Sequence, residues 1–136
     1  MDLFDVKMCR GELGAMSSLA LAHVGDAVYE LLARAHLARA GGGTAAHMHR
    51  DAVKLVAAPA QARMAEMILP ELTEEESAVF RRGRNAKVSA IPHAATPGEY
   101  HEATALEALF GYLFLSGRRE RVSELFDKMM EGNHVS

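Results

Sequence analysis

Two carboxylates stand where a stable apolar helix has no use for them. Asp26 lies inside Leu21-Ala22-His23-Val24-Gly25-Asp26-Ala27-Val28-Tyr29-Glu30, two residues after Val24 and two before Val28. Aspartate is a poor mid-helix residue because its carboxylate competes for backbone donors. The glycine beside it costs a helix about 1 kcal/mol relative to alanine. Glu107 lies inside Thr104-Ala105-Leu106-Glu107-Ala108-Leu109-Phe110-Gly111-Tyr112-Leu113, with a second glycine one turn later. Glycine lets another helix backbone approach closely, so two helices crossing at Gly25 and Gly111 would bring Asp26 and Glu107 together. Carboxylates at close range repel unless a cation lies between them. Hard oxygen donors with no cysteine or histidine set point to Mg²⁺, or Mn²⁺ in its place. Taken singly, each residue has a plainer reading: Asp26 as a solvated residue on the polar edge of its helix, Glu107 as ordinary helix filler.

A second constellation is cationic. Arg81, Arg82, Arg84 and Lys87 fall within Arg81-Arg82-Gly83-Arg84-Asn85-Ala86-Lys87. Arginine forks match phosphate oxygens bidentately, Gly83 permits close backbone approach, and Asn85 can reach a phosphate, a ribose hydroxyl or a base edge. The alternative is a solvated helix end, since basic residues suit a helix C-terminus. Arg118-Arg119-Glu120-Arg121 reads as a solvated helix start. The histidines form no metal set: His47 and His49 are two apart and point different ways on a helix. His23 can share a face with Asp26, as a neighbour that orients it or lines the cleft.

Helices must position these groups. The 136 residues fit one domain. About half are apolar (49%), enough for one core, and the abundance of Ala, Leu, Met, Glu and Arg favours helix. A net charge of −3 excludes a protein coated in basic residues, so nucleic-acid contact must come from local patches. Cys9 is the single cysteine, which rules out an intrachain disulfide and leaves a spare thiol. No apolar run approaches membrane-spanning length, and Met-Asp-Leu-Phe-Asp does not begin a signal peptide. A cytoplasmic protein is expected.

Residues 1–16 are weakly patterned, broken at Gly11 and Gly14, and form an N-terminal segment ahead of a folded unit over 17–136. Ser17 or Ser18 can cap a long helix that runs to about Ala40 and stops at Gly41-Gly42-Gly43. Thr44 can cap a second helix to about Ala57, and Pro59 suits the first turn of a third, ending near Leu69-Pro70. Thr73-Glu74-Glu75-Glu76 is a capping box that starts a fourth helix leading into the basic segment. Residues 88–98, with Pro92, Pro97 and Gly98, read as a loop. A fifth helix spans about Glu99 to Ser116, and a sixth about Arg119 to Glu131. No stretch alternates as a strand does, so the fold class is all-α.

Gly25-Asp26-Ala27-Val28 and Glu107-Ala108-Leu109-Phe110-Gly111 resemble the two metal-binding helices of the ribonuclease III family. With Leu19 through Glu30 and Arg82-Gly83-Arg84-Asn85-Ala86-Lys87 added, the chain resembles the Mini-ribonuclease III branch from about residue 17 to 131. The resemblance implies a homodimeric ribonuclease III endonuclease domain with no appended double-stranded-RNA-binding domain. It implies Mg²⁺-dependent hydrolysis of phosphodiester bonds in double-stranded RNA and a role in maturing the precursor of large-subunit (23S) ribosomal RNA. Asp26 and Glu107 would be the catalytic metal ligands, and Arg81, Arg82, Arg84, Asn85 and Lys87 the RNA contacts. The ion would acidify a water and orient it for in-line attack.

Departures from ordinary ribonuclease III matter. Two further glutamates of its first motif are replaced here by Ala22 and Leu19, and an aspartate of its second by Thr104. Asp26 and Glu107 would then hold an ion mostly through waters, with the Thr104 hydroxyl beside them. For a dimer, the helix around 105–115 offers Leu106, Leu109, Phe110, Leu113, Phe114 and Leu115, more than one narrow stripe, unless it is a central helix surrounded by the others. The competing class is a catalytically silent helical module that only binds RNA or a partner. Two carboxylates on apolar helices argue against it, and incubation with duplex RNA with and without Mg²⁺ distinguishes the two.

Overall fold

Side-chain caps set most of the helix boundaries. The computed structural model describes residues 2–88, 90–91 and 94–132, and their regular structure is all helical. After a 3₁₀ turn at Leu3–Asp5 come α1 (Arg10–Gly14), α2 (Ser18–Arg39), α3 (Ala45–Val56) and α4 (Ala58–Ile68). A second 3₁₀ turn at Leu69–Glu71 leads to α5 (Glu74–Arg84), α6 (Pro97–Leu115) and α7 (Arg119–Gly132). Ser17 Oγ accepts from Ala20 N–H at 3.1 Å, and Thr44 Oγ1 from His47 N–H at 3.1 Å. In the Thr73 capping box, Thr73 Oγ1 accepts from Glu76 N–H (3.1 Å) and Glu76 Oε1 from Thr73 N–H (2.9 Å). α2 ends where Gly41, Gly42 and Gly43 take φ of 111°, 58° and 89°, a region that disfavours side chains.

Two boundaries differ from the sequence expectation. α6 starts at Pro97, inside the stretch expected to be loop. The reason is a capping box formed by Thr96 and Glu99, with Pro97 in the first turn, where its missing N–H would lack a helical partner anyway. The part of 88–98 at Ser89, Pro92 and His93 lies outside the described residues. At the other end, Arg10–Gly14 is helical despite its two glycines. Glu12 Oε1 accepts from Cys9 N–H at 2.9 Å, Leu13 is buried in the core, and Met8 N–H donates to the Leu115 carbonyl at 2.7 Å. Tertiary contacts hold a helix too short to persist alone.

α6 is the central helix, lying against α2, α4, α5 and α7. Leu106, Leu109, Phe110 and Leu113 are fully buried within this one chain. The apolar surplus of α6 is therefore consumed by the subunit's own core, and only Phe114 and Leu115 remain half-buried. Tyr29 pins α2 to this core: its ring lies 5.7 Å from Phe110 and 5.8 Å from Phe126, and its hydroxyl donates to the Leu55 carbonyl at 3.0 Å. No helix among the described residues is long and apolar enough to cross a membrane.

Candidate active site

The site is built on a backbone contact. A Cβ placed on Gly25 would lie 1.6 Å from the Glu107 carbonyl oxygen and 2.8 Å from Gly111 N; one on Gly111 would lie 2.0 Å from the Leu21 carbonyl oxygen. No side chain fits at either position, so α2 and α6 cross with their backbones touching. Asp26, the residue after Gly25, is thereby set beside Glu107. Asp26 is exposed and Glu107 half-buried, so the pair is open to solvent on the Asp26 side.

The electrostatics fit a cation. Glu107 has its pKa pushed up to about 8, first by burial, then by the Asp26 carboxylate close beside it, with a smaller push from Glu30. Gln61 opposes this, its amide favouring the charged carboxylate. Glu30 is itself engaged by Arg34 at 3.1 Å. Among the described residues no cluster of three or more His, Cys, Asp or Glu exists that could hold a metal. A pair of facing oxygen donors, one of them under electrostatic stress, suits a hard dication that completes its shell from solvent or substrate.

Other candidates land differently. Thr104 is buried, but its hydroxyl donates to the Tyr100 carbonyl at 3.0 Å and so is committed to its own helix. His23 makes no hydrogen bond to Asp26 among the described residues and lines an apolar groove with Val24, Ala27 and Val28. Arg81, Arg82, Arg84, Asn85 and Lys87 are all exposed at the end of α5. They fan outward: Arg81 borders a recess with Leu72, Glu74 and Ser77, whereas Arg82 borders another with Arg10, Ser17, Glu75 and Tyr112. Arg84 reaches Glu102 on α6 at 3.7 Å. Glu102 precedes Glu107 by five residues, about 7–8 Å along the axis. Gly83 serves helix packing, not approach to a ligand: a Cβ there would lie 2.9 Å from Ala105 Cα and Ala108 Cβ.

The Arg118–Arg121 run is not a merely solvated helix start. Arg118 donates to Glu75 at 3.1 Å, Arg119 to Asp5 at 3.3 Å, and Arg121 to Glu76 at 2.8 Å. One residue near the site escaped the sequence reading. Gln61 is 2% exposed and stands next to Glu107. The signal was available, because Gln61 falls in the core stripe with Met64, Ala65 and Ile68.

Known proteins carry the same arrangement of sequence. Residues 19–118 match the Ribonuclease III domain family. The Mini-ribonuclease 3 of Symbiobacterium thermophilum is 47% identical over 107 residues, covering 79% of this chain and 82% of that protein. The Mini-ribonuclease 3 of Brevibacillus brevis is 44% identical over 107 residues, covering 79% and 80%. The crystal structure of a Fusobacterium nucleatum protein, 30% identical, superposes with a TM-score of 0.81 over 89% of this chain and 97% of that one. A match to the domain over most of the chain, at this identity and in this all-helical fold, leaves one assignment: the chain belongs to the ribonuclease III family, in its Mini-ribonuclease 3 branch, and is an endoribonuclease.

Proposed function

We propose that this endoribonuclease hydrolyses phosphodiester bonds in double-stranded RNA with Mg²⁺ held by Asp26 and Glu107, Mn²⁺ serving in its place. It acts in the cytoplasm as a homodimer on the precursor of large-subunit (23S) ribosomal RNA. The observation that carries the reading is the glycine-on-glycine crossing of α2 and α6, which brings the two backbones into contact and sets Asp26 beside Glu107. When bound, a dication would offset charge on the phosphate oxygens and supply an acidic water for in-line attack. The chain's own part is to hold the two carboxylates at fixed separation on rigid helices and to leave Asp26 open to solvent and substrate.

Arg81, Arg82, Arg84, Asn85 and Lys87 supply phosphate and ribose contacts to the same duplex, recognising the shape of an A-form helix more than its bases. Support for the homodimer comes from a groove lined by Val24, Val28, Leu31 and Leu32 of α2 with Phe114 and Val122. Leu31 is 56% exposed. The groove lies on the flank of α2 away from Asp26, so a two-fold partner seated there leaves the carboxylate pair open to substrate.

The deciding experiment is incubation with long duplex RNA, with and without Mg²⁺. Asp26→Asn and Glu107→Gln keep shape and remove charge, so each is expected to abolish most cleavage while circular dichroism remains that of wild type. Cleavage by either variant at the wild-type rate would refute the metal site. Replacing Arg82, Arg84 and Lys87 with alanine is expected to weaken duplex binding and to flatten its log–log salt dependence. For every phosphate no longer neutralised by a side chain, the slope should fall by about one unit or slightly less. An unchanged slope would return the segment to a solvated helix end.

A further inference from the structure

Gln61 is the one polar side chain on the buried stripe of α4, flanked along that stripe by Met64, Ala65 and Ile68. Only 2% of it is exposed, and its Nε2 has no hydrogen-bond partner among the described residues. Buried amide donors are satisfied in nearly all folded proteins, and the exceptions ask for a use. The group beside this amide is Glu107, whose charged form the amide favours although no full hydrogen bond is made. On its other side Glu107 faces the Asp26 carboxylate, whose charge disfavours its own.

We propose that Gln61 is a positioning residue for the metal site: its buried amide N–H fixes one oxygen of Glu107, so that the other is presented, together with Asp26, to a divalent cation. This rests on the metal-binding reading of Asp26 and Glu107. A carboxylate has about four lone-pair sites and can accept from Gln61 while facing an ion. Glutamate has three side-chain torsions, and a second contact is what holds such a ligand in one rotamer. Ligating carboxylates are typically held this way, and removing the outer partner costs about 10–100-fold in metal affinity or activity. α4 is well placed for the task because it lies directly against α6, so the donor comes from a packed helix and not from a loop.

The test uses Gln61→Met, which keeps an unbranched side chain of similar length and deletes the N–H, with Gln61→Leu as a second apolar variant. Mn²⁺ alone is titrated into RNA-free protein, and the free ion is followed by electron paramagnetic resonance, with wild type and Asp26→Asn alongside. Both Gln61 variants should bind Mn²⁺ at least about 10-fold more weakly. Their metal-free Tm should be unchanged or higher, since an unpartnered buried amide has been removed. In duplex cleavage the half-saturating Mg²⁺ concentration should rise by a similar factor, with most of the rate recovered at saturation. If wild type binds Mn²⁺, Asp26→Asn does not, and both Gln61 variants bind as wild type does, the positioning role is overturned and the metal site stands. If wild type and Asp26→Asn bind alike, the metal site itself falls and the role of Gln61 with it. Failure of both Gln61 variants to fold would make Gln61 a packing residue and overturn the proposal.

Discussion

At the scale of single residues, the site depends on two missing side chains. Gly25 and Gly111 weaken their helices by propensity alone, about 1 kcal/mol each. Each is retained because a methyl group would collide with backbone of the opposite helix, at 1.6 Å and 2.0 Å from a carbonyl oxygen. Carbonyls cannot turn aside as a flexible side chain can, so α2 and α6 would have to separate. Gly111→Ala is expected to destabilise the fold by about 2–3 kcal/mol or more despite its better propensity, and to move Asp26 away from Glu107. Gly98→Ala is the control: nothing lies within 4 Å of its added Cβ, so it should be neutral or slightly stabilising. Thermal unfolding of the pair checks this, and equal Tm values would show that the crossing tolerates separation. This part of the site was legible in the sequence, because a glycine beside a carboxylate in an apolar helix violates propensity visibly. Gln61 was harder to see. Its helical period places it in the core, but a single glutamine in an alanine-rich run carries no local penalty that marks it.

At the scale of elements, boundaries were legible where they rest on short-range chemistry and obscure where they rest on distant partners. Ser17, Thr44 and the Thr73–Glu76 box act within three residues, and each starts its helix as the sequence indicates. The arginines at the start of α7 could not be read in this way. Apart from the local pair of Arg121 with Glu124, their side-chain partners are Asp5, Glu75 and Glu76, at least 43 residues away. Arg121 donates to both oxygens of Glu76, each at 2.8 Å, and to the Glu71 carbonyl at 2.9 Å, binding α7 to the start of α5. Glu76 is 2% exposed. Hydrogen bonds from Arg121 hold its carboxyl below the usual range, against the opposing effect of burial and with help from Thr73 N–H. A carboxyl whose folded pKa is depressed stabilises the protein above its unfolded value of 4.5 and loses that contribution as pH falls through the folded value. Arg121→Met leaves Glu76 buried and unpaired, and should cost about 3 kcal/mol at neutral pH. The deficit relative to wild type should shrink as pH falls below the unfolded value of 4.5, because the unfolded chain then takes up a proton that Glu76 of the folded wild type resists. Urea unfolding at pH 7 and pH 3.5 measures both terms, and a pH-independent difference would mean that Arg121 acts through its aliphatic stem alone.

At the scale of the whole molecule, the question is how one carboxylate pair per chain would serve the two strands of the duplex proposed as its substrate. The fold puts most of α6 to use inside the subunit, so of its apolar run only Phe114 and Leu115 remain half-buried. An apolar groove runs along α2 at Val24, Val28, Leu31 and Leu32, with Phe4 and Phe114 beside them. The helical repeat separates this face from Asp26, which lies on the other side of the stripe formed by Gly25 and Tyr29. A symmetric partner on α2 would therefore leave two carboxylate pairs open and relate them by a two-fold axis. The strands of a duplex are antiparallel and related by two-fold axes as well, so each pair would meet one strand. A mixed dimer of one wild-type subunit and one Asp26→Asn subunit should then nick a single strand and release few double-strand breaks in one binding event. Strand-specific end labels on the duplex, read under single-turnover conditions, report the two cuts separately. If the mixed dimer cuts both strands as fast as wild type, a single pair must serve both strands in turn, and the two-fold pairing of sites is wrong.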